Sequence, residues 1–575
     1  MSKKEIILIV ALSIIAIFYF PILRMMGLVD DPPPAEQVET TETENSTPVS
    51  RQPFVETNNN AGTDYSSQSS NPVINQPQSD SAVVIKKADS IYINTGPYKI
   101  IMSSLGGGPV SINLNEYSYR DGRSIDMLSE SDEATPEFSF AGGTFKFSSI
   151  YFSSDLISGE YYVETEPLIV NYSYKIENGG LLNKKYIFYP DRYDFDLVLS
   201  ISDPSKFGFQ RKYQAIWNTP TPVTEPQPKT DYELMEAVAM QSDSRLNLDD
   251  FEDDKLNQTV DGDTKWAGVR SKYFCAVIIP RSDRQGSAAV AYGSKGSKTT
   301  VDGTFETRSI RCGMEMEFSE LLPINDSFTV FVGAMDYNKM SGYDIGLEDM
   351  LDIGTMPFIG WIIKPFAIAI LWLLPLMYTF IPNYGIVIIL FALLVKLITL
   401  PLSMKSFKSM QAMKDIQPKM EELKKKHKKN PQALNKEMMK LYKEHGVNPM
   451  SGCLPMLPQM PLFFAMFSVF RATILLRDAP FFWFIDDLSR GASGFTDPYI
   501  LLVIFMIAAQ FVSQKLTMAS NQQNKALIYI MPLFMGFIFY SFAAGLVLYW
   551  ACFSIFSLID YFLFKRGKSK EIQSV

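Results

Sequence analysis

Residues Ile386 to Pro401 read IVIILFALLVKLITLP, a run long and apolar enough for a bilayer that contains one cation, Lys396. On insertion scales a lone lysine at the centre of a membrane helix costs roughly 2.5–3.5 kcal/mol, and such residues face a bundle interior or a water-filled cavity. A lysine near a helix end escapes that cost by snorkelling to the interface. Here uncharged residues continue to Met404, which leaves Lys396 about 12 Å short of the end at 1.5 Å per residue. The position favours a functional role over snorkelling.

At 575 residues the chain is too long for one compact domain. Residues 31–355 are polar and acidic, whereas 356–564 are long apolar runs broken by one lysine-rich block. The mean hydropathy of +0.02 and the net charge of -9 average over these unlike parts, so charge is informative only by region. Four cysteines, Cys275, Cys312, Cys453 and Cys552, are too few and too scattered for a disulfide framework or a zinc site. Only Cys275 and Cys312 share the polar region and could pair, given an oxidising compartment. Both histidines, His427 and His445, lie in the lysine-rich block. No His-based catalytic centre, metal site or cofactor is expected, and the chain does not read as an enzyme.

Residues 1–30 hold an apolar segment, Ile6 to Leu23, preceded by Lys3 and Lys4 and lacking a small-x-small cleavage site, which predicts an uncleaved transmembrane anchor. Residues 31–81, rich in Pro, Thr, Asn, Gln and Ser, cannot bury a core and predict a disordered linker. Residues 82–345 predict an antiparallel β-sandwich. Tyr193 to Ile201 alternates apolar and polar residues, and Phe138, Phe140, Phe145 and Phe147 flank an AGG turn in the manner of a hairpin. The stretch Gly293 to Thr300 (GSKGSKTT) fails the spacing of a phosphate loop, so no nucleotide is expected there.

Two apolar runs, 356–381 and 385–404, are separated by three residues. After them, residues 405–447 carry twelve lysines and predict a helical hairpin broken at Asn430–Pro431. The positive-inside rule puts this block in the cytoplasm. With the β-domain outside, an odd number of crossings separates the two, so one run does not cross. The first, with Lys364, two prolines and two tryptophans, suits an amphipathic helix along the outer interface. The second crosses. Further spans are expected at 448–475, 499–514, 526–542 and 546–564, with an acidic outer loop at 476–498 and a basic cytoplasmic tail at 565–575. The charged hairpin suits a solvated face or anionic lipid head groups. Ribosomal RNA or a targeting factor is the sharper alternative.

Polar groups in these spans are few: Lys396, Gln459, Arg471, Gln510, Ser513, Tyr540, Ser541, Ser554, Ser557 and Asp560. They contain no hydrolytic constellation. Lys396 and Asp560 fall in the same half of the membrane and either pair as a structural unit or leave Lys396 lining a wet cavity. Ten methionines between Met404 and Met466 crowd the hairpin and the third span, as plain packing or as an adaptable surface for varied apolar partners. A transporter is the rival class, but no internal repeat of broken helices supports it.

Several longer motifs are more specific. They are VNPMSGCLPMLPQMPLFFAMF at Val447 to Phe467, LRDAPF at Leu476 to Phe481 and GLVLYW at Gly545 to Trp550. To these add IQPKM at Ile416, EMMKLYKEHGVNP at Glu437, SSLGGGPVSINLNEY at Ser103, KYFCAVIIP at Lys272 and FVGAMDY at Phe331. Over essentially the whole chain the sequence resembles the YidC-type membrane protein insertases of Gram-negative inner membranes. The resemblance implies a six-span α-helical membrane protein whose five-helix core encloses a hydrophilic groove, open to cytoplasm and lipid, plus a periplasmic all-β supersandwich. It implies cytoplasmic termini, nascent membrane proteins as substrates, membrane lipids as surroundings, and the Sec translocon and the ribosome as partners. The groove residues expected here are Lys396, Gln459, Met460, Pro461, Phe463, Ser513 and Trp550, with Asp560 as charge partner of Lys396. The family commonly carries arginine where Lys396 stands; lysine keeps the charge and loses the bidentate fork.

Overall fold

The computed structural model describes residues 88–573, apart from 130, 132, 141–145, 178, 210, 282–283, 301–302, 355–358, 429, 448–455, 495 and 519–524. The expected anchor at 1–30 and linker at 31–81 lie outside the described residues. The first half of the described chain is β-rich. A five-stranded sheet places Ser124–Asp126, Gly108–Ser118, Tyr98–Ser103, Ser90–Asn94 and Gly159–Tyr162 side by side, and only the last pair is parallel. A fourteen-stranded antiparallel sheet is built around the hairpin Gly286–Thr300 and Gly303–Glu317. The GSKGSKTT stretch is thus a hairpin arm, paired through Thr300 to Gly303.

Alternation sets which faces meet. Leu182, Tyr186 and Phe188 from one strand, with Phe195, Leu197, Leu199 and Ile201 from its neighbour, are all buried, as are Ile91, Ile93, Ile100, Met102, Ile112 and Leu114 of the small sheet. Burying each such side chain contributes about 1.5–3 kcal/mol. Side-chain bonds to backbone tie the sheets together. Tyr98 Oη donates to the Asp194 carbonyl at 3.2 Å, Tyr186 Oη to Gly107 at 3.0 Å, and Lys184 Nζ to Gly106 at 2.8 Å. Lys184 sits among the rings of Phe138, Phe147 and Phe152, and burial pulls its ammonium down to about 7.

Among the described residues the expected phenylalanine hairpin is not seen, and its turn at 141–145 lies outside them. Glu137–Phe140 pairs with Lys212–Trp217, and Phe147 opens a 3-10 turn; Phe145 lies outside the described residues. Phe140 stacks 3.9 Å from Phe209 and 4.9 Å from Tyr213. Long-range aromatic packing has overridden the local alternation. Cys275 and Cys312 are buried and unpaired. Their strands, Phe274–Pro280 and Gly303–Glu317, are not neighbours in the sheet, and burial raises both thiols, Cys312 to about 12.

Two short helices belong to this domain, α1 (Pro228–Leu234) and α2 (Tyr337–Ser341). Among the described residues seven more helices follow: α3 (Gly360–Phe380), α4 (Tyr384–Lys426), α5 (Pro431–Glu444), α6 (Met456–Ala472), α7 (Ile500–Met518), α8 (Lys525–Phe539) and α9 (Ala544–Gln573). Three of them, α3, α4 and α9, are long and apolar enough to cross a membrane, and α7 and α8 contain shorter apolar helices. No break separates the apolar part of α4 from the first arm of the lysine-rich hairpin. At the second arm the Asn430 side chain caps α5 by accepting from the Ala433 amide at 3.1 Å. The hairpin closes over Ile416, Met420, Leu441 and Val447, with Met413 and Met438 packed against them. Met413, Met420 and Met438 thus pack within the hairpin.

The word amphipathic does not describe α3. Its buried stripe, Ile363, Ala367, Ile370, Leu371 and Leu374, is apolar, and so is its exposed one, with Trp361, Phe366, Trp372, Leu376 and Phe380. Near its start Lys364 pairs with Asp349 of the preceding segment at 2.8 Å, and near its end Tyr378 stacks on Tyr384 at 4.2 Å. Tyr384 in turn lies within electrostatic reach of Asp336 in the β-domain. Both ends of α3 are therefore close to the β-domain, as in a helix laid across the end of the bundle.

The β-domain grips the bundle through buried charge. Arg477, at the end of the segment following α6, donates from Nε to Glu225 Oε1 at 3.0 Å and from Nη2 to the Ser118 carbonyl at 3.0 Å. Glu225 also faces Lys272 at 3.5 Å. Arg477 and Glu225 are each about 95% enclosed, with side-chain exposures of 4% and 5%. Beneath them Asp231 of α1 accepts from the amides of Thr224 at 2.6 Å and Glu225 at 2.8 Å, while its Oδ1 has no hydrogen-bond partner among the described residues.

Burial, and then the charge of Glu225, push the Asp231 carboxyl from 3.8 up to about 6. The folded chain therefore holds a proton that the unfolded chain releases. Stability from this group is full below about 3.8 and lost as pH rises through about 6, a swing of about 3 kcal/mol at 1.36 kcal/mol per unit. The β-domain is expected to unfold at a lower temperature at pH 7 than at pH 5, read by fluorescence of the buried Trp217 and Trp266. Asp231→Asn should flatten that dependence; an unchanged slope would remove Asp231 as its source.

Candidate functional site

The loop between α6 and α7 fixes the ends of the apolar helices. The Ala492 amide donates to the Tyr540 carbonyl at 3.1 Å, Ala544 to Arg490 at 2.7 Å and Gly545 to Leu488 at 2.9 Å. Phe481 lies so close over Gly385 that a Cβ there would come within 2.0 Å of its ring. The ends of α6 and α8 and the starts of α4, α7 and α9 thus share one level beside the β-domain. From that level α4, α7 and α9 run away from the domain, and α9 packs between α4 and α7.

Counting 1.5 Å per residue from this shared level, Lys396 on α4, Ser557 and Asp560 on α9, Gln459 on α6 and Ser513 on α7 all lie about 18–24 Å along their helices. They make one polar layer in otherwise apolar surroundings. Lys396 is 7% exposed. Its Nζ donates to Ser557 Oγ at 2.9 Å, stands 3.0 Å from Asp560 Oδ2 and lies 4.8 Å from the Phe553 ring centre. Ser557 in turn donates its hydroxyl hydrogen bond to the Phe553 carbonyl at 2.8 Å. Among the described residues Asp560 Oδ2 has no aligned hydrogen bond, so it holds Lys396 by charge attraction, and the directed bond belongs to Ser557. Of the two readings of Lys396, the structure has the pair with Asp560. Among the described residues the polar contacts of the Lys396 ammonium all go to α9.

Nearer the β-domain, an aromatic cluster joins α6, α8 and α9, with Phe539 at the shared level and Trp550 and Phe463 about 9–14 Å along their helices. Phe463 and Trp550 lie 5.3 Å apart at 72°, Phe539 is 5.9 Å from Phe463 and 5.5 Å from Trp550, and the indole N–H of Trp550 donates to Gln510 Oε1 at 3.2 Å. Gln459, Met460 and Pro461 are half-buried on the first turns of α6, and Ser513 is half-buried on α7. The structure therefore joins Lys396 to Asp560 and Phe463 to Trp550, and sets Gln459 and Ser513 at the depth of the first pair.

Ser557, Phe553 and Gln510 were not among the expected site residues. A signal for two of them existed: Trp550, Phe553, Ser557 and Asp560 follow one another at three- and four-residue steps, which is one face of a helix. Gln510 carried no such signal, because its partner Trp550 is on another helix.

Fold and site define a helical membrane protein with a large β-rich domain and a charged pair set inside its bundle. Family models agree part by part. Residues 376–571 match the 60Kd inner membrane protein model and residues 90–369 the YidC periplasmic domain model. The membrane protein insertase YidC of Chlorobium luteolum is 31% identical over 494 residues, covering 83% of this chain and 82% of its own. That of Chlorobaculum tepidum is 33% identical over 489 residues, covering 82% and 80%. A crystal structure of an active YidC insertase with its first transmembrane domain resolved covers 83% of this chain and 92% of its own, at 18% identity and a TM-score of 0.33. The chain belongs to the YidC membrane protein insertase family.

Proposed function

We propose that this protein inserts nascent membrane proteins into the inner membrane, and that the polar layer around Lys396 is where the polar segment of a substrate rests during crossing. The observation that carries the reading is the buried lysine, held by one directed bond and one charge contact amid apolar helices. Desolvating polar chain is the main barrier to crossing a bilayer. A site already furnished with Lys396, Ser557, Asp560, Gln459 and Ser513 lowers that barrier, and an acidic group on the substrate can take the place of Asp560 beside the ammonium. The apolar segment meanwhile leaves along α6 and α8, past Met460, Pro461, Phe463 and Trp550, into lipid.

In this reading the layer belongs to a hydrophilic groove open to cytoplasm and lipid. The chain crosses six times, counting the anchor at 1–30, with both termini cytoplasmic and the β-domain periplasmic, while α3 lies along the outer interface. The position of both α3 ends beside the β-domain supports that placement. The lysine-rich hairpin and the basic tail meet the ribosome and anionic lipid, and insertion proceeds alone or with the Sec translocon. No nucleotide enters the cycle; burial of the apolar segment drives it, with the membrane potential adding about 2.3 kcal/mol per charge per 100 mV.

Photo-crosslinking amino acids at Met460 and at Leu533 of α8, in ribosome-bound complexes stalled on a small membrane protein, test this. Labelling of the nascent chain from both positions is expected. If neither labels while controls on the translocon do, substrate does not pass this face.

A further inference from the structure

The α6–α7 loop has a second side. Between Asp478 and Asp486 stand seven uncharged residues, APFFWFI. They fold into a tight turn closed by the Phe481 amide on the Ile485 carbonyl at 3.0 Å and the Ile485 amide on Phe482 at 3.1 Å. Ile485 is buried, but Phe482 is 70% and Trp483 85% exposed. Trp483 also has φ of +53°, a left-handed conformation that a bulky residue rarely adopts.

This turn is not loose chain. On one side Arg120 of the β-domain reaches Asp487 at 3.2 Å and Asp486 at 3.7 Å, and Tyr499 bonds Asp486 and the Asp487 amide at 2.6 and 2.8 Å. On the other, Phe481 packs on Gly385 at the start of α4. The next residue, Ile386, begins an exposed apolar stripe that continues through Leu393, Leu394, Leu397 and Ile398. Two aromatic rings are thus presented rigidly, at a strained backbone, beside the end of a helix whose exposed face is apolar. Tryptophan and its aromatic neighbours gain most at the boundary between head groups and acyl chains.

We propose that Phe482 and Trp483 seat in the head-group boundary of the outer leaflet, so that the α6–α7 loop is a lipid anchor as well as a connection. Because the same loop is gripped by Arg477 and Arg120 contacts, the anchor sets the height and tilt of the β-domain above the membrane. The proposal rests on α4 crossing with its start at the outer face. Its occupant is lipid, because the exposed rings continue the apolar face of α4, while the carboxylates of Asp486 and Asp487 are engaged by Tyr499 and Arg120.

The test uses the full-length protein in nanodiscs made with phospholipids brominated either near the head-group end or near the tail end of the acyl chain. The fluorescence contributed by Trp483 is taken as the difference between the wild-type chain and Trp483→Phe. This component should be quenched most by the bromines nearer the head group and be shielded from aqueous iodide. Quenching by iodide with no response to either brominated lipid overturns the proposal and leaves the turn for a protein partner. A nitroxide on Phe482→Cys, in a Cys453→Ser, Cys552→Ser background, reads the same point without removing the tryptophan. It should collide with dissolved oxygen more than with a water-soluble nickel chelate, and the reverse order sinks the anchor. Neither readout depends on insertion activity, so loss of the insertase reading would leave it intact.

Discussion

Lys396→Ala is expected to destabilise the helical bundle by about 3–5 kcal/mol, because it leaves Asp560 enclosed and without its counter-charge. Asp560 is only 15% exposed in its side chain and Lys396 only 8%, so solvent does little to screen the loss. Adding Asp560→Ala removes the stranded charge, and the double variant should recover most of the lost stability. That recovery makes the series informative about function. If Lys396 serves only to neutralise Asp560, the double variant inserts small substrates as well as the wild type. If the ammonium meets the substrate, insertion into proteoliposomes stays impaired in a chain that is stable again, and Lys396→Arg retains most of the activity. A stable double variant with full activity would reduce the pair to architecture.

Arg477→Met should loosen the β-domain from the bundle by a comparable amount, about 3–5 kcal/mol, since it leaves Glu225 buried with only Lys272 at 3.5 Å. Hydrogen exchange of the full-length protein should quicken at residues 219–227 and 478–490, while the strands behind them stay protected. Arg477→Lys should fall between, because an ammonium cannot hold the Glu225 carboxylate and the Ser118 carbonyl in the fixed fork that arginine uses. Arg120→Ala is the contrast. Its own side chain is 35% exposed where it meets Asp487, and Asp487, though only 3% exposed, also accepts from the Ser489 amide at 2.8 Å, so the loss should be smaller than for Arg477→Met. Equal effects of Arg477→Met and Arg120→Ala would show that burial of the Arg477 contact has no special weight.

Much of the site was legible because the membrane makes polar residues conspicuous. Lys396 and Asp560 stand out in apolar runs by composition alone, and their shared depth follows from counting residues. Whether they touch does not, since that depends on α4 and α9 packing side by side with a rotation that no one-dimensional pattern specifies. The same holds for Trp550 and Gln510. In the β-domain, alternation identified the strand at Tyr193 to Ile201; Phe138 and Phe140 do lie beside Phe147, at 6.5 and 5.5 Å, but the strand that pairs with theirs is Lys212–Trp217. Aromatic residues at alternating positions fit any pleated neighbour, and the competition was settled by Phe209 and Tyr213, which lie some seventy residues away in the chain.

From the sequence by itself come the division into a β-rich and an apolar helical part, the lysine-rich hairpin and the expensive cation in the fourth helix. These are set by composition and period, which are local properties of a chain in contact with water or lipid. The tertiary structure decided that Lys396 is shared between Ser557 and Asp560, that Cys275 and Cys312 stay apart, and that Arg477 locks the domain to the bundle. Each of those depends on two segments far apart in sequence arriving at hydrogen-bonding distance. Packing of whole elements brings that about, and the residues concerned carry no local sign of it.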